Sequence, residues 1–177
     1  MKREEIIHTF GAKKIAEVGV LRGRFASHLL STNPEELHLI DPWRVFGKAV
    51  YPDHSQKTQE DWDKTHDFVQ NKFSKDYRVN VHRGTSEEIA SKFPDGYFDL
   101  VYIDANHTYE FCKLDIELWL PKVRKGGIIG GHDAVEALGV LRAWTEAFGK
   151  DNVRLTTEYN ENTTHRKYPK SWFYKKK

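Results

Sequence analysis

Short apolar segments alternate with amphipathic segments along most of this chain, and that alternation limits the possible folds more than any other feature. The clearest apolar segment is 98–104, read as a buried strand. We predict strands at 14–18, 37–41, 78–83, 98–104, 127–131, 152–158 and 171–174, and helices at 3–10, 22–30, 59–74, 86–93, 109–120 and 135–148. Strands that alternate with helices predict a doubly wound α/β fold with a mostly parallel, seven-stranded sheet. No helix separates the last two strands, so we expect them to form an antiparallel C-terminal hairpin.

Composition narrows the class of protein further. The chain has 177 residues, of which 38% are hydrophobic and 13% aromatic, which suits one domain over 1–177 with a real core. No apolar run approaches the roughly 20 residues of a membrane span, and the N-terminus lacks the apolar region of a signal peptide. Cys112 is the single cysteine, which excludes an internal disulfide and a CxxC zinc site. We therefore expect a cytoplasmic protein with no membrane partner.

The charge is unevenly spread. Lys and Arg total 28 and Asp and Glu total 26, but the segment from His165 onward carries six Lys and Arg residues and no acidic residue. Such a tail could contact nucleic-acid phosphates. We favour the simpler interpretation, in which its lysines solubilise the end of an edge strand.

Two features mark a nucleotide-binding end of the sheet. The first strand ends in Glu17-Val18-Gly19-Val20-Leu21-Arg22-Gly23, and glycines at such a turn permit a tight bend and a close ligand. The second strand ends in Asp41, where an acid can accept hydrogen bonds from ribose hydroxyls. Asp41 could instead be an ordinary loop acid before a proline.

These residues resemble the class I S-adenosylmethionine-dependent methyltransferases, whose fold is Rossmann-like. The resemblance covers roughly 12–175. It rests on the order and spacing of Glu17-x-Gly19-x-x-x-Gly23, Ile40-Asp41, Gly84-Thr85-Ser86, 99–104 and Lys125-Gly126-Gly127. Many members have a third glycine where this chain has Leu21, but the macrocin-type and catechol-type O-methyltransferases share the variation. The G-x-G-x-x-G of NAD-binding proteins is absent.

The resemblance implies that the cofactor is S-adenosyl-L-methionine. Its methionine end would lie against Glu17, Gly19 and Gly23, its ribose against Asp41, and its adenine beside Thr85 and Ser86, with Asp104 adjacent. The 43–57 segment is interpreted as a long loop, which could cover the cofactor or the acceptor. Trp43 in this loop could flank adenine or could simply anchor the loop.

Two polar clusters follow neighbouring strands where the methyl group must lie. They are Asp104-Ala105-Asn106-His107 after strand four and Gly130-Gly131-His132-Asp133 after strand five. The arrangement resembles the divalent-metal O-methyltransferases, which implies that Asp104, His132 and Asp133 hold Mg²⁺ or Mn²⁺. That family usually has an acid at the position of His132, so a metal-free catalytic role or a structural role stays open.

His107 lies three residues after Asp104, the offset at which the catechol-type enzymes place a general base. A neutral imidazole can take a hydroxyl proton near neutral pH, so Asp104 and His107 are the predicted catalytic residues. The alternative is that His107 caps the turn of its own helix. We interpret Asn106 as a turn residue and Trp119 as a packing residue.

The predicted activity is O-methylation of a small hydroxylated acceptor, such as a sugar or a phenol. A short chain favours a small acceptor or a pocket completed by a homodimer. A nucleic-acid methyltransferase is the weaker alternative, because Asn-Pro-Pro-Tyr is absent after strand four. A non-catalytic cofactor-binding module and an iron-dependent, hydroxylase-like relative are further alternatives.

Overall fold

The computed structural model describes residues 3–47, 57–135, 137–156 and 171–177. Predicted loop residues Tyr51, Asp53 and His54 lie outside this range. The helices are α1 (Arg3–Phe10), α2 (Arg24–Ser31), α3 (Gln59–Phe73), α4 (Ser86–Ala90), α5 (Tyr109–Trp119) and α6 (Leu138–Phe148). The strands are β1 (Lys14–Val18), β2 (Glu36–Asp41), β3 (Val79–Arg83), β4 (Phe98–Ile103), β5 (Val123–His132), β6 (Val153–Leu155) and β7 (Ser171–Lys175).

The strands form one seven-stranded sheet in the order β3-β2-β1-β4-β5-β7-β6. Strands β1 to β5 pair in parallel, and β7 runs antiparallel to both β5 and β6. The predicted α/β fold, its mostly parallel sheet and its antiparallel C-terminal hairpin are confirmed. The same order places β1, β4 and β5 side by side, so their carboxyl ends meet at one edge.

The core consists of two apolar clusters. Val101, Trp119 and Trp144 belong to one cluster, and Phe25 and Tyr102 belong to the other. Consecutive β4 residues fall in different clusters because successive strand side chains point to opposite faces. β4 is therefore covered on both sides, which explains its nearly continuous apolar sequence.

The start of β5 differs from the prediction. The strand begins at Val123 rather than at 127, and the predicted turn at Lys125-Gly126-Gly127 lies inside it. Gly126 has a φ of 73°, and the pairing with β4 shifts register between Phe98 and Leu100. The glycines therefore form an irregularity of the bulge type rather than a turn, because a left-handed residue is tolerated within a strand at such a site.

The interpretation of the basic tail as the end of an edge strand is wrong. β7 lies between β5 and β6, so it is an interior strand. The Lys176 ammonium donates to the carbonyl oxygens of Leu120 (3.0 Å), Pro121 (3.3 Å) and Val123 (2.8 Å). A cation beside the carbonyl groups that follow a helix C-terminus is favourable, so this lysine has a structural role. Among the described residues, no helix combines the length and apolar character needed to cross a membrane.

Candidate active site

A cavity of about 1140 Å³ lies at the carboxyl ends of the parallel strands. The strand ends are tied together there, since Gly19 N donates to Ile40 O (2.8 Å) and Asp104 N donates to Val18 O (2.7 Å). The cavity wall includes most of the predicted site residues, namely Glu17, Gly19, Asp41, Trp43, Thr85, Ser86, Asp104, His107 and His132. Gly23 and Asp133 are not part of this wall; Gly23 stands at the start of α2.

Gly19 is required by the contact between two strand ends. Its φ is 87°, and a Cβ atom there would overlap the backbone carbonyl of Asp104. The glycine therefore lets the β1 turn pass directly over the end of β4. This is a reason for glycine that does not depend on a ligand.

Asp41 holds the glycine turn in place through backbone amides. Its Oδ2 accepts from Val20 N (3.0 Å) and Leu21 N (2.9 Å), and its Oδ1 accepts from Trp43 N (2.8 Å). Asp41, which the sequence predicts to bind ribose, thus also fixes the conformation of the glycine turn. Leu21, at the position of the missing third glycine, has a φ of 50°, which a leucine adopts only at a cost.

Glu17 is a buried acid with an unpartnered oxygen. The residue is 1% exposed, and its Oε2 has no hydrogen-bond partner among the described residues. Burial, followed by the negative charges of Asp104 and Asp41, raises the pKa of Glu17 well above its usual range. An unsatisfied buried carboxyl is costly, so this position favours a ligand that brings a donor or a positive charge.

Three other predicted cofactor residues have protein partners. Trp43 is fully buried, and its indole N–H donates to Leu21 O (2.9 Å), so it anchors the loop as the alternative interpretation proposed. Thr85 forms a capping box with Glu88 at the start of α4. Ser86 Oγ accepts from the Trp119 indole (3.0 Å), and Trp119 is itself buried. These residues shape the cavity wall with side chains that are already hydrogen-bonded.

The two polar clusters come together in one group of four side chains. His107 Nε2 lies 3.0 Å from Asp133 Oδ2 and 3.8 Å from Asp104 Oδ1. His132 Nδ1 lies 3.1 Å from Asp133 Oδ1 and 3.9 Å from Asp104 Oδ1. Asp133 therefore lies between both histidines, and we call Asp104, His107, His132 and Asp133 the acid–histidine cluster.

Opposite charges dominate the electrostatics of this cluster. Burial alone would lower the pKa of His132, but its hydrogen bond with Asp133 and the charges of both acids raise the pKa overall. Burial alone would raise the pKa of Asp133, but the hydrogen bond and charge of His132 lower the pKa overall. Each side chain therefore favours its charged form more than it would alone.

Within the part of the chain that the structure describes, one set of three residues has donor atoms close enough to share a metal ion. Asp104, His107 and Asp133 each offer one ligand atom, and these atoms lie within 4.8 Å of one another. The set predicted from sequence had His132 in place of His107. Both histidines belong to the acid–histidine cluster, so the two sets differ only in which imidazole would join the two carboxylates as a ligand.

Sequence reasoning missed Arg3, which reaches the cavity from α1. Its guanidinium donates to Tyr102 Oη (3.4 Å), lies 4.2 Å from the centre of the Phe25 ring, and forms part of the cavity wall. Its charge acts to lower the pKa of Glu17. No local sequence pattern predicts this contact, because it depends on how α1 packs against a strand about 100 residues later.

Sequence reasoning also missed Asp115, a buried acid on the cavity wall. A signal for it exists in the sequence. On the buried face of α5 it shares helical spacing with Cys112, Ile116 and Trp119, and it is the charged member of that apolar stripe.

The comparisons with known proteins agree with this fold. A family model described as "Methyltransferase domain" matches residues 16–134. That match covers more than half of the chain. The chain therefore belongs to this methyltransferase-domain family and has the class I S-adenosylmethionine-dependent methyltransferase fold.

Solved structures share the fold at low sequence identity. An O-methyltransferase from Bacillus cereus in complex with SAH has a TM-score of 0.67 and 17% identity, over 98% of this chain and 78% of that one. The O-methyltransferase TomG from Streptomyces achromogenes in complex with SAM has a TM-score of 0.62 and 15% identity, over 98% and 78%. A spermidine synthase from Thermotoga maritima has a TM-score of 0.66 and 14% identity, over 99% and 58%. The fold is thus shared by enzymes that do different chemistry.

A curated relative adds little about function. An uncharacterized protein, y4gI, from Sinorhizobium fredii is 31% identical over 67 residues. The match takes in 36% of this chain and 7% of the length of that relative.

Proposed function

We propose that this protein transfers a methyl group from S-adenosylmethionine to a hydroxyl oxygen of a small acceptor. The observation that carries the proposal is that a single cavity joins two sites. The buried, unpartnered carboxyl of Glu17 and the turn held by Asp41 lie in its wall, and so do Asp104, His107 and His132 of the acid–histidine cluster.

The residues at the glycine turn fit this cofactor. S-adenosylmethionine supplies an electrophilic methyl group and carries an ammonium group. Glu17 Oε2 offers a buried acceptor for such a cation, and pairing would favour the ionised form of its carboxyl. Small-molecule sites typically occupy about 300–1,000 Å³. The cavity of about 1140 Å³ therefore has room for the cofactor and a small acceptor together.

The acid–histidine cluster fits the second requirement, which is to remove the acceptor proton. Asp104, His107 and Asp133 would hold one divalent cation, for which two carboxylates and an imidazole suit Mn²⁺ or Mg²⁺. A bound cation would act as a Lewis acid that lowers the pKa of the acceptor hydroxyl. The His132–Asp133 ion pair would fix the orientation of the shared carboxylate.

The metal-free alternative uses the same residues differently. His107 would take the acceptor proton, and Asp133, 3.0 Å from its Nε2, would orient the imidazole. His107 Nε2 cannot bind a cation and donate a hydrogen to Asp133 at once. The two versions of the proposal therefore make opposite predictions for a chelator.

The experiment has two parts on the full chain. Calorimetry with S-adenosylhomocysteine tests the cofactor site, and labelled S-adenosylmethionine with a library of hydroxylated metabolites tests transfer. Active acceptors are then assayed after EDTA treatment and again with added Mn²⁺. Loss of transfer in EDTA with recovery in Mn²⁺ supports the cation, whereas transfer unaffected by EDTA leaves His107 as the base.

A matched pair of variants identifies the imidazole ligand. His107→Ala and His132→Ala remove the same group from the two sides of Asp133. We expect Mn²⁺ affinity, measured by calorimetry, to fall at least about tenfold in His107→Ala and less in His132→Ala. The reverse order would favour the set that sequence predicted. No detectable S-adenosylhomocysteine binding by the wild-type protein would reject the proposed function.

A further inference from the structure

The end of the cavity beyond Asp41 has a wall made by two elements. One is the segment after β3, from Gly84 to Glu88, and the other is one face of α5. In a doubly wound sheet the acid at the end of the second strand holds the ribose, so the base extends past it toward this wall. The α5 residues on the wall are Phe111, Leu114 and Asp115, at the i, i+3 and i+4 positions of one helix face.

Asp115 is the buried acid on this wall. The residue is 7% exposed and makes no ion pair with any described residue. Its hydrogen-bond partner among the described residues is the Ser86 side chain. Ser86 Oγ also accepts from the Trp119 indole N–H at 3.0 Å, which leaves the Ser86 hydroxyl hydrogen available to Asp115. A carboxylate has about four acceptor positions, which leaves Asp115 with capacity for a further donor.

A buried acid with one neutral partner is an expensive feature. Burial, assisted by the charge of Glu87 and opposed by the Ser86 hydrogen bond, raises the pKa of Asp115 to about 7. An apolar residue would continue the stripe of Cys112, Ile116 and Trp119 without that cost. The acid is therefore best explained by a donor that arrives with a ligand.

The other polar groups on the wall are less suited to accept a hydrogen bond from a purine base. The Thr85 hydroxyl and the Glu88 carboxylate bind each other's backbone amides in the capping box of α4. Glu87 and Glu88 are both exposed, so water competes for their oxygens. Asp115 combines burial, a fixed orientation from Ser86 and contact with the cavity.

We propose that Asp115 accepts a hydrogen bond from the 6-amino group of the adenine base and thereby makes the site selective for an adenosyl cofactor. Phe111 and Leu114 then supply apolar contacts on the same wall. The inference rests on the cofactor part of the proposed function. It adds a residue of α5 to the site and leaves the acid–histidine cluster untouched.

The experiment is calorimetry on the full chain with two ligands, S-adenosylhomocysteine and its 6-deamino (purine) analogue. A hydrogen bond to a buried carboxylate predicts that the wild-type protein binds S-adenosylhomocysteine about 10- to 100-fold more tightly than the analogue. In Asp115→Leu this preference should fall below about threefold. Glu117→Leu is the matched control, since Glu117 lies on the exposed face of α5 beside Lys113, and it should keep the wild-type preference.

Two outcomes would overturn the inference. One is binding of both ligands to the wild-type protein within about twofold, a result that requires no variant and so holds even if Asp115→Leu does not fold. The other is a wild-type preference that persists in Asp115→Leu, which would make Asp115 a support for Ser86 only. Failure of S-adenosylhomocysteine itself to bind would reject the proposed function as well, and the binding data separate that case from the other two.

Discussion

The two ends of the cavity are held by different kinds of contact. At the cofactor end, the Asp41 carboxylate accepts three backbone amides, so the fold itself fixes the turn. At the other end, side chains of the acid–histidine cluster contact one another, with His107 and His132 at 3.0 and 3.1 Å from Asp133. Residues at the first end should therefore support folding, whereas residues at the second should chiefly support chemistry.

The largest expected contrast is between Asp41→Ala and Asp104→Ala. Losing three charge-assisted hydrogen bonds should lower the free energy of unfolding by about 3 kcal/mol in Asp41→Ala. Among the described residues the Asp104 side chain makes only the longer contacts of 3.8 and 3.9 Å, so Asp104→Ala should change the free energy of unfolding by less than about 0.5 kcal/mol. Methyl transfer by Asp104→Ala should nevertheless fall by at least about 100-fold. Urea unfolding measures the free energy of unfolding, and a transfer assay measures activity. A stability loss in Asp104→Ala larger than the loss in Asp41→Ala would contradict this expectation.

Glu17→Met sharpens the comparison, because it should raise the free energy of unfolding while it lowers the affinity for S-adenosylhomocysteine. Removing a buried carboxyl that lacks a partner should raise the free energy of unfolding by about 1–2 kcal/mol near neutral pH. Affinity for S-adenosylhomocysteine should fall by about 10- to 100-fold, because the ammonium group loses its acceptor. Chemical unfolding and calorimetry test the pair. An unchanged affinity would remove Glu17 from the cofactor site.

The pH dependence of the free energy of unfolding tests a contribution that comes from the sheet and not from the cavity. His38 and His82 lie 2.9 Å apart on β2 and β3, away from both ends. Burial lowers the pKa of His38, and burial with the charge of His38 lowers the pKa of His82 to about 4. The folded protein therefore binds protons at these two histidines less readily than the unfolded chain, whose histidines bind protons below about pH 6.5.

Stability contributed by this pair should therefore be present above pH 6.5 and be lost as pH falls toward 5. His82 is only half-buried, so water screens part of the effect and we expect a loss of about 1 kcal/mol. Urea unfolding at pH 7.5, 6 and 5 measures it. His82→Gln should flatten the dependence, and an equally steep dependence in that variant would assign the loss to other groups.

The smallest effect is expected for Leu21→Gly at the glycine turn. Relief of the left-handed backbone at φ 50° should slightly outweigh the added flexibility of glycine, for a gain of about 0.5 kcal/mol in the free energy of unfolding. Leu21→Ala keeps the backbone strain and serves as the control. A loss of stability in Leu21→Gly would show that the leucine side chain contributes packing that exceeds the strain.

The elements that could be predicted from sequence are those with a local signal. β4 is apolar because it is covered on both faces, and β2 ends at Asp41, directly before Pro42, so both could be placed from the sequence. Glu17, Gly19 and Asp41 stand at or just after the ends of β1 and β2, so their positions also follow from the predicted strands. These three residues all line the cavity.

What could not be predicted depends on contacts between distant segments. Arg3 meets Tyr102 only after α1 packs on the sheet, and Lys176 meets the end of α5 only because β7 is an interior strand. Gly126 was interpreted as a turn because glycine favours turns and bulges alike. Which histidine has its donor atom placed to share an ion with both acids depends on the two loops together, and no local spacing encodes it.

The most direct test of the account is a crystal structure with S-adenosylhomocysteine and Mn²⁺, with the ion located by anomalous scattering. We predict one anomalous peak bounded by Asp104, His107 and Asp133, with the ligand's ammonium group against Glu17 in the same cavity. A ligand bound away from Glu17, or a cavity with the ligand in place and no anomalous peak at the acid–histidine cluster, would contradict the account.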